Sequence, residues 1–406
     1  MRLSVILGCV YRVMIIAVAG AASGAVAEAP VHAPSVQVLD HFDGSVVPPY
    51  EIRAGEILFD LSHNDILNVG LAGAPSGFVV RVRIGSGNVR KMALNQGLII
   101  SDDGLNWRAV SFADDGAFLR ATLDHSGKIV WLSTRYPYGR DNLDQLLADI
   151  QGTPGLHVYL LRRQNRIVPV FEFGKDDGRK PIHFIIGGED VWETAGQWTV
   201  DAMVRTLASE PNLAAGLLAK AVVRIVPLTS PYSATQRWSS HVTVTGKPAY
   251  GAAAWTETEP PPEIALVREQ VIEATKAGRL GLLLTVHSWQ GQAPDSRMET
   301  IRTAGNRVIE GERLEWAKAT LERLVSGVPR GSWKISEKIW HPGLARDYML
   351  REHGAITFRI EVSTYGQGIE AFRETGRRLL ANIAAIPDWG PVLPIKQEPI
   401  REDTQR

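Results

Sequence analysis

The stretch from Pro181 to Ser209, PIHFIIGGEDVWETAGQWTVDAMVRTLAS, decides how this chain reads. Ile182 to Ile186 is a short, largely apolar run of the kind that forms a strand buried on both faces. Gly187 and Gly188 end it. From Ala195 to Ser209 the apolar residues recur at helical spacing. Strand, glycine turn and helix together are one half of an α/β unit, and the turn carries two acids, Asp190 and Glu193. On a turn leading into a helix, residues three apart lie on one side, so both carboxylates can reach a single ion.

Working outward, the same alternation continues on both sides. Asn142 to Ile150 has helical spacing, and GLHVYLLRR and IVPVFEFG read as strands. AVVRIVPL, LGLLLTVHSW and ITFRIEV are further strands, and Glu263–Ala277, Gly311–Val325 and Ile369–Ala385 further helices. Strands alternating with helices predict an α/β domain, over 136–395, with a mostly parallel or mixed sheet. Residues 396–406 follow as a tail. Before the domain, GFVVRVRI, QGLIIS, WRAVSF, AFLRATL and KIVWLS are short alternating runs broken by Gly, Asn and Asp. They predict an antiparallel β-sandwich over 28–135.

The first 27 residues read as an export signal. Arg2 and Arg12 make a basic start, Val13 to Ala22 is too short an apolar run to span a bilayer, and Ala25-Val26-Ala27 gives a small-x-small cleavage site before Glu28. A periplasmic or secreted protein is expected, with no stable membrane insertion after signal removal. Cys9, the only cysteine, falls inside this segment, which excludes a disulfide framework and thiol catalysis in the remainder. A net charge of +0 gives no reason to expect nucleic acid as a partner.

Sites in α/β sheets form outside the carboxyl ends of the strands. Asp190 lies at one such end, His287 of TVHSW at a second and Glu361 of TFRIEV at a third. Two acids and a distant His have the makings of a metal site, since three protein ligands and a water are the usual catalytic zinc arrangement. The ion lowers the pKa of the water and polarises a carbonyl, and Glu361 is placed to act as general base. The expected ion is zinc, with manganese an alternative because two carboxylates suit a harder ion. The expected substrate is a peptide or related amide.

The order of these segments resembles the M14 metallocarboxypeptidases, in the branch with cytosolic-type carboxypeptidases. That family has an H-x-x-E motif followed by Thr and a helix, a His-Ser pair at a strand end, and a catalytic Glu in a late strand. ED-VWET, TVHSW and TFRIEVSTYG hold those places here. WLSTRYPYGRDNLDQLLADI, RIVPLTSPYSA, PPPEIALVREQVIEA and HPGLARDYMLREHGAITFRIE are similar to its supporting segments, so the resemblance covers nearly all of the chain after the signal. It implies a zinc-carboxypeptidase-like mixed sheet behind an N-terminal β-sandwich, with Asp190, Glu193 and His287 as metal ligands and Glu361 as the base. It also implies that Arg237 of ATQRWSS binds substrate by polarising the scissile carbonyl. The sequence departs from the family in three places. Asp190 stands for the family's leading His, Ser230-Pro231-Tyr232-Ser233 stands for NPDG, and Tyr250 to Trp255 lacks the Asn-Arg pair that grips a terminal carboxylate. Without that guanidinium fork, exopeptidase specificity is not assured.

Each residue also has a simpler reading. Asp190 or Glu193 could cap the helix, and His287 could be a core histidine. Glu361 could be paired with Arg359, which alternation puts on the same strand face. Trp192 and Trp289 shape a pocket or fill core, His341 is a candidate neighbour of the site, and Ser288 a hydrogen-bonding one. Two alternatives to a peptidase therefore stand. One is a catalytically inactive carboxypeptidase-like binding protein, and the other an amidase or esterase of altered specificity. A carbohydrate-binding or structural sandwich protein ranks last, since it leaves Glu361 unexplained.

Overall fold

The structure is a computed structural model. It describes residues 36–42, 45–62, 66–84, 87–231, 241–242, 248–249, 254–289, 295–337, 343–387 and 389. The export signal and its cleavage site lie outside the described residues, as does the 396–406 tail.

The expected pair of β layers is present. One five-stranded sheet runs in the order Gln37–Leu39, Asn68–Ala72, Ile129–Ser133, Leu98–Ser101, Arg108–Val110, and every pairing is antiparallel. The second runs Tyr50–Arg53, Glu56–Leu61, Val79–Ile84, Leu119–Thr122, Ala113–Asp114. It includes one parallel pairing, Glu56–Leu61 with Val79–Ile84. In Glu56–Leu61 every second residue is buried, as a strand with one wet face requires. Ile57, Phe59, Val80 and Val82 from one sheet and Leu98, Ile100, Val130 and Leu132 from the other form one core. The helix Gly87–Gln96 in this region was not expected. Its sequence, GNVRKMALNQ, is mostly polar and offers little apolar periodicity.

The α/β region is built on an eight-stranded mixed sheet. Its order is Leu156–Arg163, Arg166–Phe173, Val222–Val226, Ile182–Gly187, Leu280–Trp289, Phe358–Ser363, Ser296–Ile301, Gly331–Ser336. The four strands from Val222–Val226 to Phe358–Ser363 run parallel. Ile182–Gly187 is buried along its whole length, while the edge strand Leu156–Arg163 is half exposed. The strands Ser296–Ile301 and Gly331–Ser336 were not anticipated, because SRMETI and GSWKIS carry charges that mask their alternation.

Alternation sorts the sheet's side chains between two helical layers. Ile185, Leu282, Leu284, Val286, Phe358, Ile360 and Val362 join the helices Thr194–Ser209, Gly311–Val325 and Ile369–Ala385. Ile182, Phe184, Ile186 and Leu283 join Pro262–Lys276 and Ala345–His353. Leu282, Leu284 and Val286 lie on the first face, so Thr285 and His287 lie on the second. By the same count Arg359 and Glu361 share that second face. No helix among the described residues is long and apolar enough to cross a membrane.

His183 sits inside the central strand, its ring over Gly281 and 4.9 Å from that of Trp389. Burial pushes its pKa down to about 3. Below an ordinary pKa of about 6.5 the unfolded chain binds a proton that the folded chain excludes, so this residue takes stability away as pH falls from 6.5 towards 3. Urea denaturation of the protein and of His183→Leu at pH 7.5 and 5.5 checks this. The variant should gain about 1.4 kcal/mol relative to the parent at the lower pH. An unchanged difference would show the ring to be solvated.

Candidate metal centre

The strand Ile182–Gly187 is in register with Leu280–Trp289, with Gly187 opposite Val286. It ends at Gly188, whose φ of +66° turns the chain sharply away from the sheet against Leu228. The turn is closed by the Glu193 amide donating to the Asp190 carbonyl at 3.1 Å. Glu193 is the residue before the helix Thr194–Ser209, but its side chain makes no capping hydrogen bond. The helix is seated on the neighbouring strand. At Gly196 a Cβ would stand 2.6 Å from the Val286 carbonyl oxygen, and the Gly196 amide donates to Ser288 Oγ at 3.1 Å. The Ser288 amide in turn donates to a Glu193 carboxylate oxygen at 3.3 Å. Ser288 thus ties the histidine-bearing strand to the acid-bearing helix, the neighbour's role expected of it.

These contacts bring Asp190, Glu193 and His287 together. All three are buried, and one ligand atom from each lies within 4.8 Å of the others. Ligand atoms about 2.1 Å from one ion can be at most about 4.2 Å apart, so closing on an ion needs only small side-chain shifts. His287 Nδ1 is 2.6 Å from Glu193 Oε2, and its Nε2 is 3.0 Å from Glu189 Oε2. Glu189 was not singled out from the sequence. The only signal was a second acid directly beside Asp190 at the end of an apolar strand.

The charges explain one another. Burial raises the Asp190 pKa to about 7, and the negative charge of Glu193 adds to the effect. Burial acts on Glu193 in the same sense, but the His287 charge and hydrogen bond outweigh it and leave its pKa below the ordinary value. For His287, burial and the Arg359 charge oppose protonation. Glu193 and the hydrogen bonds from both glutamates prevail, and its pKa rises to about 10. Asp190 and His287, which retain this much proton affinity in a water-poor site, can exchange their protons for a divalent cation beside the Glu193 carboxylate. The donor set fits zinc or a harder ion.

Glu361 lies directly beside His287 in the register of the parallel strands. Its carboxylate is ion-paired with Arg359, two residues earlier on the same face. Burial raises the Glu361 pKa, and Arg359 opposes the rise. Behind the pair, Arg346 Nη1 meets Glu299 Oε1 at 2.5 Å. Glu299 is opposite Arg359 in the antiparallel register. Arg346 and Glu299 escaped the sequence reading because their strand and helix did.

Arg237, His341 and Tyr250 to Ala253 lie outside the described residues, as does the side chain of Trp289. Trp192 lines a cleft of about 240 Å³ with Phe42, Trp107, Trp131, Arg135 and Tyr138. The Arg135 guanidinium stacks 4.8 Å from the Trp192 ring and donates to its carbonyl oxygen at 2.8 Å. The loop between the two acids is thereby held from the outside.

No protein-family profile and no curated protein sequence matches this chain. Solved structures do. A metallo-carboxypeptidase from Burkholderia cenocepacia superposes with a TM-score of 0.73 at 17% identity, covering 86% of this chain and 98% of the other. A metallo-carboxypeptidase from Pseudomonas aeruginosa, in complex with (2-guanidinoethylmercapto)succinic acid, gives 0.70 at 17% identity with the same coverage of 86% and 98%. The chain therefore has the metallocarboxypeptidase fold, a mixed sheet preceded by a β-sandwich.

The Arg359–Glu361 pair makes a double-variant cycle informative. Arg359→Met leaves a buried carboxylate without its cation and should cost about 3–5 kcal/mol in urea denaturation. Arg359→Met combined with Glu361→Met should recover most of that loss. If the double variant is as unstable as the sum of the single ones, the two groups do not interact.

Proposed function

We propose that this chain is an exported, metal-dependent hydrolase of the metallocarboxypeptidase type, cleaving a peptide or related amide bond. One observation carries the reading. Asp190, Glu193 and His287 converge on one point, and Glu361 stands next to His287 in the strand register. The shared fold supports it. Export rests on the sequence of residues 1–27 and on the confinement of cysteine to Cys9.

Asp190, Glu193 and His287 would hold the ion. When bound, a zinc or manganese ion supplies the acidification of water and the polarisation of the scissile carbonyl. The rest belongs to the protein. Glu361 receives a proton from the attacking water and delivers it to the leaving nitrogen. A pKa raised by burial strengthens it as a base. Arg359 holds the carboxylate in place and balances its charge in the unloaded site. The cleft at Trp192 offers apolar and aromatic surface for the part of the substrate away from the reacting bond.

The Arg359 pairing also favours a second reading, a carboxypeptidase-like protein that binds without turnover. An acid already matched by a permanent cation is what a structural role would require. An amidase or esterase would use the same residues on a different leaving group.

Elemental analysis of the purified protein tests the site. One divalent ion per chain is expected, lost in Asp190→Ala and His287→Ala, and a chain that stays metal-free after reloading would sink the reading. A screen of peptides, amides and esters separates hydrolase from binder: turnover that disappears in Glu361→Gln while the ion stays bound supports the enzyme. Ion binding should also depend on pH. Between pH 7 and 10 the ion displaces one proton, from His287, and affinity should rise about tenfold per unit; below 7 it displaces a second, from Asp190, and the rise should be about hundredfold per unit. Chelator competition at a series of pH values measures both slopes.

A further inference from the structure

We propose that Glu189 is a positioning residue for this centre. It accepts the hydrogen of His287 Nε2 and so keeps Nδ1, the nitrogen on Glu193's side, available to the ion. The inference rests on the reading of Asp190, Glu193 and His287 as an ion site.

The two ring nitrogens of His287 face different acids. Nδ1 lies against Glu193 at 2.6 Å and Nε2 against Glu189 at 3.0 Å. In a neutral imidazole one nitrogen carries the hydrogen and the other offers a lone pair, and the partner of the first decides which is which. Glu193 belongs to the group of atoms that can close on one ion, and Glu189 does not. The imidazole stands between Glu189 and that point. A carboxylate on the far nitrogen fixes both the tautomer and the plane of a liganding histidine.

Glu189 is itself held for the task. It is 2% exposed, and a carboxylate so placed needs strong partners. The indole Nε1–H of Trp255 donates to its Oε1 while His287 meets its Oε2. Trp255 is fully buried and secured at both backbone ends. Its amide donates to the Gly343 carbonyl at 2.9 Å, and its own carbonyl accepts from Arg268 Nη1 at 2.7 Å. The carboxylate is thus fixed from behind by a rigid donor and has one oxygen left for the histidine.

The test measures zinc affinity by chelator competition for the parent protein, Glu189→Gln, Glu189→Leu and Asp190→Ala. Circular dichroism and thermal unfolding check that each variant is folded. Nitrogen-15 spectra of the histidine ring in the zinc-loaded parent and Glu189→Gln supply a readout independent of activity. One zinc per chain is expected in the parent and in both Glu189 variants. Affinity should fall about tenfold for Gln, which still accepts a hydrogen bond, and about a hundredfold for Leu, which does not. The loaded parent should show the hydrogen on Nε2. Leu binding within twofold of the parent, while Asp190→Ala loses the ion, would overturn this inference and leave the ion site standing. A loaded ring with its hydrogen on Nδ1 would overturn it as well. A parent that takes up no zinc would remove the ion site and this proposal together.

Discussion

The structure is organised around the cost of keeping carboxylates out of water. Glu189, Asp190, Glu193 and Glu361 are all buried at the carboxyl ends of the two strands that flank Leu280–Trp289. Isolated, each would have to give up its charge. They persist because positive groups sit among them: His287 between two glutamates, Arg359 on Glu361, and Arg346 on Glu299 behind. The strand alternation that sends Leu282, Leu284 and Val286 into one core sends His287, Arg359 and Glu361 to the other face, where they meet. The packing of the sheet and the balance of charge are one arrangement.

Much of this could be read from the chain. The runs that form Ile182–Gly187 and Leu280–Trp289 carry no Asp, Glu, Lys or Arg, so strand, turn and helix followed from IIGGEDVWETAGQW with bounds shifted by a residue. Asp190, Glu193 and His287 stood out because each is polar in apolar surroundings, and the structure brings them together. What escaped has a common cause. Glu189 is notable only for what it touches, and its partner Trp255 is 66 positions away. The strands SRMETI and GSWKIS carry charges on their alternating faces, and so Glu299 could not be placed. Arg359 was named as a possible partner of Glu361 from alternation alone, which is a local rule. Partners set by tertiary contact have no such local trace.

The acid at position 190 has a physical consequence of its own. An aspartate in place of a neutral histidine adds a negative charge to a site that already holds Glu193, and burial with that charge drives its pKa to about 7. Without an ion, the site meets this excess by keeping protons on His287 and on part of Asp190. A carboxylate-rich shell also leaves less of the ion's charge to act on a bound water than a histidine-rich shell would.

The seat of Gly196 on the Val286 carbonyl concerns chain length more than residue identity. From that seat back to Glu193 is a fixed distance of three residues, ending at the start of a helix whose first turns are wholly buried. Adding or removing one residue there would swing Glu193 about 100° around the helix axis and away from His287. Exchange of one donor for another at position 190 would leave that phase untouched. This centre can therefore change its chemistry by substitution much more readily than by insertion or deletion between Glu193 and Gly196.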